Sequence, residues 1–127
     1  MILVVDDDPG VCAFLQAGLQ RAGYDVEIAS DGQIALEMLK ENTYQLVLMD
    51  IHLPGLDGFE LFRELHENDE VDLVPIIGMT GGSEKLPGWY AGKALKMIGV
   101  PTVLNKPFLI DEVLAAIEAL PHDPSAP

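Results

Sequence analysis

"LVLMDIHLPGLDG", residues 46–58, sets five apolar residues around a single carboxylate, Asp50, and then breaks at Pro54-Gly55. An isolated ionised carboxylate is costly to bury, so an aspartate closing an apolar strand calls for a partner. Its first part, "QLVLMD" (45–50), is too short for a helix and reads as a strand buried on both faces. "MILVV" (1–5) and "VPIIGM" (74–79) have the same character, which belongs to interior strands of a parallel sheet. "DVEIA" (25–29) and "PTVLN" (101–105) complete a set of five strands.

Helical patterns separate them. Val11, Phe14, Leu15, Leu19 and Ala22 fall at helical spacing, and Gly23 supplies the terminating glycine. Ser30 with Gln33 reads as a capping box before Ile34, Ala35, Met38 and Leu39. Asp57 with Glu60 caps a segment bearing Leu61, Phe62 and Leu65, and Val113, Leu114, Ile117 and Leu120 mark a last helix. Alternating strands and helices with right-handed crossovers predict an α/β doubly wound parallel sheet, strand order 2-1-3-4-5, helices on both faces. Residues 1–120 read as one domain, and "PHDPSAP" (121–127) as a tail or the stub of a linker.

Twenty-one acidic against seven basic residues give a net charge of −14, which argues against nucleic-acid and anionic-membrane surfaces. No apolar run reaches the ~20 residues of a membrane span, and the N-terminus lacks a signal-peptide pattern, so the expectation is a cytoplasmic protein. The one cysteine, Cys12, rules out an internal disulfide and reads as a buried thiol.

Ligands of such sheets bind at the carboxyl ends of the strands. There the chain delivers Asp6-Asp7-Asp8, Asp50, Thr80 and Asn105-Lys106-Pro107. Taken singly, an acidic triplet is a solvated turn or helix cap, a threonine a turn residue and a lysine a surface charge. Together they make a site. Carboxylates ~4 Å apart repel by about 4 kcal/mol at an effective dielectric of ~20, and a hard cation such as Mg²⁺ relieves this. An aspartate beside such an ion and a lysine is a poised nucleophile for phosphoryl transfer.

"ILVVDDDP", "LVLMDIHLPGLDG", "MTGG" and "LNKPF" together resemble the ordered motifs of response-regulator receiver domains of two-component signalling, a family of flavodoxin-like fold. The resemblance implies that Asp50 is the phosphoacceptor. It implies Mg²⁺ held by Asp6, Asp7, Asp50 and the backbone carbonyl of His52, Thr80 as switch hydroxyl, and Lys106 as phosphate-binding lysine ahead of a cis Lys106-Pro107 bond. Asp8 becomes a helix cap before Pro9. A histidine kinase or histidine phosphotransfer protein supplies the phosphoryl group, and a downstream protein target reads the result. Such a domain catalyses its own phosphorylation and dephosphorylation and is not a turnover enzyme.

The chain departs from the family pattern at three places. Val103 stands where an aromatic switch residue is common, Gly81-Gly82 follow Thr80, and "SEKLPGWYAGKALKMIGVP" (83–101) is longer than usual. Trp89 and Tyr90 in that segment either cover the core or form a partner surface. His52 either tunes the phosphoryl lifetime or contributes its backbone alone. Two other classes compete with this reading. A haloacid-dehalogenase-type phosphatase would use Asp6-x-Asp8, but Pro9 follows where Thr or Val is usual, and Asp50 stays unexplained. A binding module that keeps the fold without phosphorylation, or a flavodoxin, fits poorly with the complete Asp–Thr–Lys set and an acidic first loop. The chain suits a single-domain regulator or the receiver part of a longer protein.

Overall fold

The computed structural model describes residues 1–50, 74–81 and 102–120. Five strands, β1 (Ile2–Val5), β2 (Val26–Ala29), β3 (Leu46–Asp50), β4 (Ile76–Thr80) and β5 (Thr102–Asn105), form one sheet. All pairings are parallel and the order is β2-β1-β3-β4-β5, the doubly wound flavodoxin-like arrangement expected from the alternation of elements. Val5 pairs with Met49, Asp50 with Met79 and Thr80 with Asn105, so the carboxyl ends of four strands lie side by side.

Side-chain alternation along the strands feeds two separate cores. Leu3, Val5, Val47 and Met49 pack with Ala35, Leu36 and Leu39 of helix α2 (Gly32–Glu41) on one face. Ile2, Val4, Leu46 and Leu48 pack on the other with Leu15 and Leu19 of α1 (Pro9–Arg21) and Val113 and Ile117 of α3 (Ile110–Glu118). Every side chain of β1 is fully buried. At about 1.5–3 kcal/mol per buried aliphatic side chain, the central strands carry much of the hydrophobic stabilisation. β5 lies at one edge, where Val103 and Leu104 are half-buried.

The helix ends have identifiable causes. Asp8 is the N-cap of α1: its carboxylate accepts the amides of Gly10 (2.8 Å) and Val11 (3.4 Å), with Pro9 in the first turn. At the other end Gly23 takes φ +98°, and the amides of Gly23 and Tyr24 donate to the carbonyls of Gln20 and Leu19. That is a Schellman turn, and it needs the left-handed conformation glycine adopts freely. Glu112 in the first turn of α3 reaches back to the amide of Leu109 at 3.2 Å.

Several sequence expectations are corrected. The cap of α2 is Asp31, whose carboxylate accepts the Ile34 amide at 2.8 Å, and not the Ser30–Gln33 box. Asp31 lies one residue closer to the first turn and its carboxylate is the stronger acceptor. Phe14, Ala22 and Ile34 point outward and Leu36 turns inward, while Cys12 is buried as expected. The apolar stripes of α1 and α2 are therefore rotated from the ones read by spacing, and α3 buries Val113 and Ile117 as read. β2, β3 and β4 begin one or two residues later than expected, at Val26, Leu46 and Ile76, and backbone bonds continue the pairing just outside them: the Ile2 amide donates to the Asp25 carbonyl, the Gln45 amide to the Met1 carbonyl and the Val47 amide to the Pro75 carbonyl. β4 extends one residue further, to include Thr80. The helix read after Asp57 and the 121–127 tail lie outside the described residues.

α1 and α3 approach closely at Gly18, where a Cβ would run into Cγ1 and Cδ1 of Ile110. Gly18→Val is expected to lower unfolding free energy by about 1–3 kcal/mol in chemical denaturation, the usual cost of overpacking. An added Ile110→Ala substitution should recover part of that loss.

Candidate functional site

The strand ends gather their polar residues as the alternation requires. β1 runs directly into Asp6, which is 1% exposed, and β3 ends in Asp50, 5% exposed. Asp7, next to Asp6, is exposed. One carboxylate oxygen from each of Asp6, Asp7 and Asp50 lies within 4.8 Å of the others. Lys106, just past β5, extends its ammonium to Asp6 Oδ2 (2.7 Å) and Asp50 Oδ2 (3.1 Å). Thr80, buried at the end of β4, is tied to the same lysine through its backbone, because the Lys106 amide donates to the Thr80 carbonyl at 2.7 Å.

Asp6 is held from several sides. Its Oδ1 accepts the Asp8 amide at 2.9 Å, an Asx turn that brings the chain into α1. Its own amide donates to the Ala29 carbonyl, and its carbonyl accepts the Cys12 thiol at 3.3 Å. Burial pushes the Cys12 thiol up, and the charges of Asp6, Asp8 and Asp7 push it further against an opposing effect of Lys106. The thiol therefore stays protonated at neutral pH and acts as a donor.

Burial alone would depress the Lys106 ammonium and is the largest single influence on it. The hydrogen bond to Asp6, the charges of Asp50 and Asp6 and the hydrogen bond to Asp50 together outweigh it. The lysine pKa ends above its ordinary value, and the cation is fixed in place.

The donor set is all oxygen and mostly anionic, which suits a hard divalent ion. An octahedral Mg²⁺ with ligands at about 2.1 Å keeps its ligand oxygens roughly 3–4 Å apart, so the three carboxylates fit around one ion. Lys106-Pro107 is a cis peptide. Asp8, capping α1, contributes its amide to Asp6 and its carboxylate to the helix. Of the residues expected at the site, Asp6, Asp7, Asp50, Thr80 and Lys106 are brought to this edge; His52, Trp89 and Tyr90 lie outside the described residues.

Sequence reasoning missed the Cys12 thiol on the Asp6 carbonyl and the outward-facing Phe14. Asp6 followed two residues later by a helix-capping aspartate is a readable Asx-turn signal. Nothing in the local pattern distinguishes an inward from an outward Phe14.

The sequence model of the "Response regulator receiver domain" family matches residues 2–118, and the chain belongs to that family. Response regulator ArlR of Staphylococcus saprophyticus is 33% identical over 119 residues, covering 94% of this chain and 51% of that protein. The chain spans about half the length of the curated relatives it matches. The solved Francisella response regulator 1452 receiver domain is 28% identical with a TM-score of 0.78, and the match covers 92% of each chain. A Burkholderia pseudomallei response regulator solved with a phosphorylated aspartic acid, calcium ion and citrate is 26% identical with a TM-score of 0.77, over 93% of this chain and 66% of that one. The fold and family match a signalling receiver, and they support neither the phosphatase nor the flavin-binding alternative.

A folded-state lysine pKa above the unfolded value contributes stability below the unfolded pKa and loses it as pH rises through the folded one. Lys106→Met is expected to destabilise the protein by about 1–3 kcal/mol at neutral pH, since two carboxylates lose their cation. In denaturation series the gap between variant and wild type should close above about pH 10.5, the unperturbed lysine value.

Proposed function

We propose that Asp50 accepts a phosphoryl group from a phosphohistidine of a histidine kinase or histidine phosphotransfer protein, in a Mg²⁺-dependent reaction that alters the surface offered to a downstream protein target. The observation that carries this reading is the Asp50 carboxylate, buried, clustered with Asp6 and Asp7, and ion-paired to Lys106. The Burkholderia pseudomallei relative, which holds a phosphorylated aspartic acid and a calcium ion, supports it.

Asp6, Asp7, Asp50 and the His52 carbonyl would hold the ion, which when bound supplies Lewis-acid charge opposite the phosphoryl oxygens. An Asp50 carboxylate oxygen attacks phosphorus, the P–N bond to the donor imidazole breaks, and the electron pair leaves with the ring nitrogen. Lys106 moves its ammonium onto the new phosphoryl oxygens, and the Thr80 hydroxyl donates to another. The single charge of the Asp50 carboxylate thereby becomes the roughly two of an acyl phosphate, placed further out on its oxygens, and draws on both β4 and β5, whose ends are already joined by the Lys106 amide and the Thr80 carbonyl. Val103 on β5 packs against the α2-side core, so readout runs through strand and loop positions and not an aromatic rotamer. The reaction is self-phosphorylation in the cytoplasm, away from nucleic acid and membrane; no described helix is long and apolar enough to cross a membrane.

Incubation with acetyl phosphate and Mg²⁺ should label the chain to at most one acid-stable phosphoryl group. Asp50→Asn or excess EDTA should abolish the label. Sustained release of phosphate from a phosphomonoester over many turnovers would overturn the proposal.

A further inference from the structure

α1 contains no acidic residue, in a chain that carries 21. The other described helices keep acids on their outer sides: Glu37 and Glu41 on α2, and Asp111, Glu112 and Glu118 on α3. Cys12, Leu15 and Leu19 hold α1 to the core. On a helix of 3.6 residues per turn the positions facing away from them are Gly10, Phe14, Ala17 and Arg21, and all four are exposed. Their spacing of four, three and four residues is that of a helix-pairing seam. Phe14 stays 43% exposed even with Phe108 beside it, the ring centroids 6.2 Å apart. Opposite charges bracket the seam. Asp8 precedes it, its carboxylate fixed by the amides of Gly10 and Val11, and Arg21, the one basic residue of α1, closes it.

We propose that this face of α1 is a homodimer interface, with α1 packed antiparallel against α1 of a second copy about a two-fold axis. Such a contact must be self-complementary, and this seam is. Phe14 and Ala17 stand equally far from its middle, as do Gly10 and Arg21. Reversing the direction therefore sets each Phe14 ring against the partner's Ala17, large against small. Each Arg21 runs over the partner's Gly10, where no side chain stands in its way, to the fixed carboxylate of the partner's Asp8. A parallel pair would instead oppose Phe14 to Phe14 and Arg21 to Arg21. Charge selects the occupant as well. Two chains of −14 repel where acidic helix exteriors meet, and α1 is the described helix on which they do not. A basic partner would be drawn to α2, α3 or the acid edge. One helix pair of this length lies at the small end of specific interfaces, so the dimer is weak, with a dissociation constant on the order of 100 µM.

The contact does not involve the chemistry of Asp50, so it is tested on the whole chain without a phosphodonor. Sedimentation velocity across roughly 5 to 500 µM should show monomer and dimer in exchange. Ala17→Glu places a charge where the partner's Phe14 packs and should leave monomer at every concentration. Arg21→Ala removes two ion pairs per dimer and should weaken association about three- to tenfold. Gln33→Glu adds the same charge as Ala17→Glu at an exposed position of α2, on the opposite face of the sheet, and should dimerise as wild type does. Disulfide trapping reads the direction. Ala13 and Gln20 are exposed on one flank of the seam and face each other only across an antiparallel pair, while Cys12 is buried. Mixing Ala13→Cys with Gln20→Cys under mild oxidation should give more cross-linked dimer than either variant alone. Wild type that stays monomeric at every concentration would overturn the proposal, as would a dimer that Ala17→Glu leaves intact. Cross-linking no greater in the mixture than in the separate variants would overturn it too.

Discussion

The Lys106 ammonium, held between Asp6 and Asp50, is the interaction on which the arrangement of this edge depends. It joins residues 100 and 56 positions away along the chain, and so ties the ends of β1, β3 and β5 into one charged unit. Without a cation, two nearly buried carboxylates at adjacent strand ends would repel in a poorly solvated place. With it, the sheet can end in acid and still be well packed beneath. The backbone strengthens the same connection, because the amide of this lysine bonds to Thr80 on the intervening strand.

Asp6 is where fold and chemistry meet most closely. The residue ends β1, forms the turn that starts α1, receives the Cys12 thiol and faces the lysine. Its side chain has little freedom left, which is the condition for placing a carboxylate accurately. Asp7, one residue on, is exposed, so neighbouring acids of like chemistry play different parts: one braced, the other open to solvent and ligand.

Much of this was legible in the sequence, for a physical reason. Strands buried on both faces must be apolar throughout, so β1, β3 and β4 announce themselves, and whatever polar residue ends them stands out. Asp6, Asp50 and Thr80 stand out in that way. Less legible was anything set by how an element rolls against its neighbours. Phe14 and Leu15 look alike to a spacing rule, yet one faces solvent and the other the core, because the position of α3 beside α1 decides the angle. The α2 cap was missed by one residue, since Ser30 and Asp31 are both good caps and only backbone direction chooses between them. The Cys12 contact was similarly hidden, because a thiol in an apolar stripe is ordinarily just filler.

The complete enclosure of β1 separates two kinds of evolutionary change. A substitution within that strand must answer to both cores at once, because its side chains alternate between them and none reaches solvent. The outer surfaces of α1, α2 and α3 carry no such double obligation. Duplicated copies of a chain built like this can diverge in whom they recognise by altering helix exteriors, while the acid edge and the strands that aim it stay as they were. Families of similar chains can then work side by side in one cell with the same chemistry and little cross-talk.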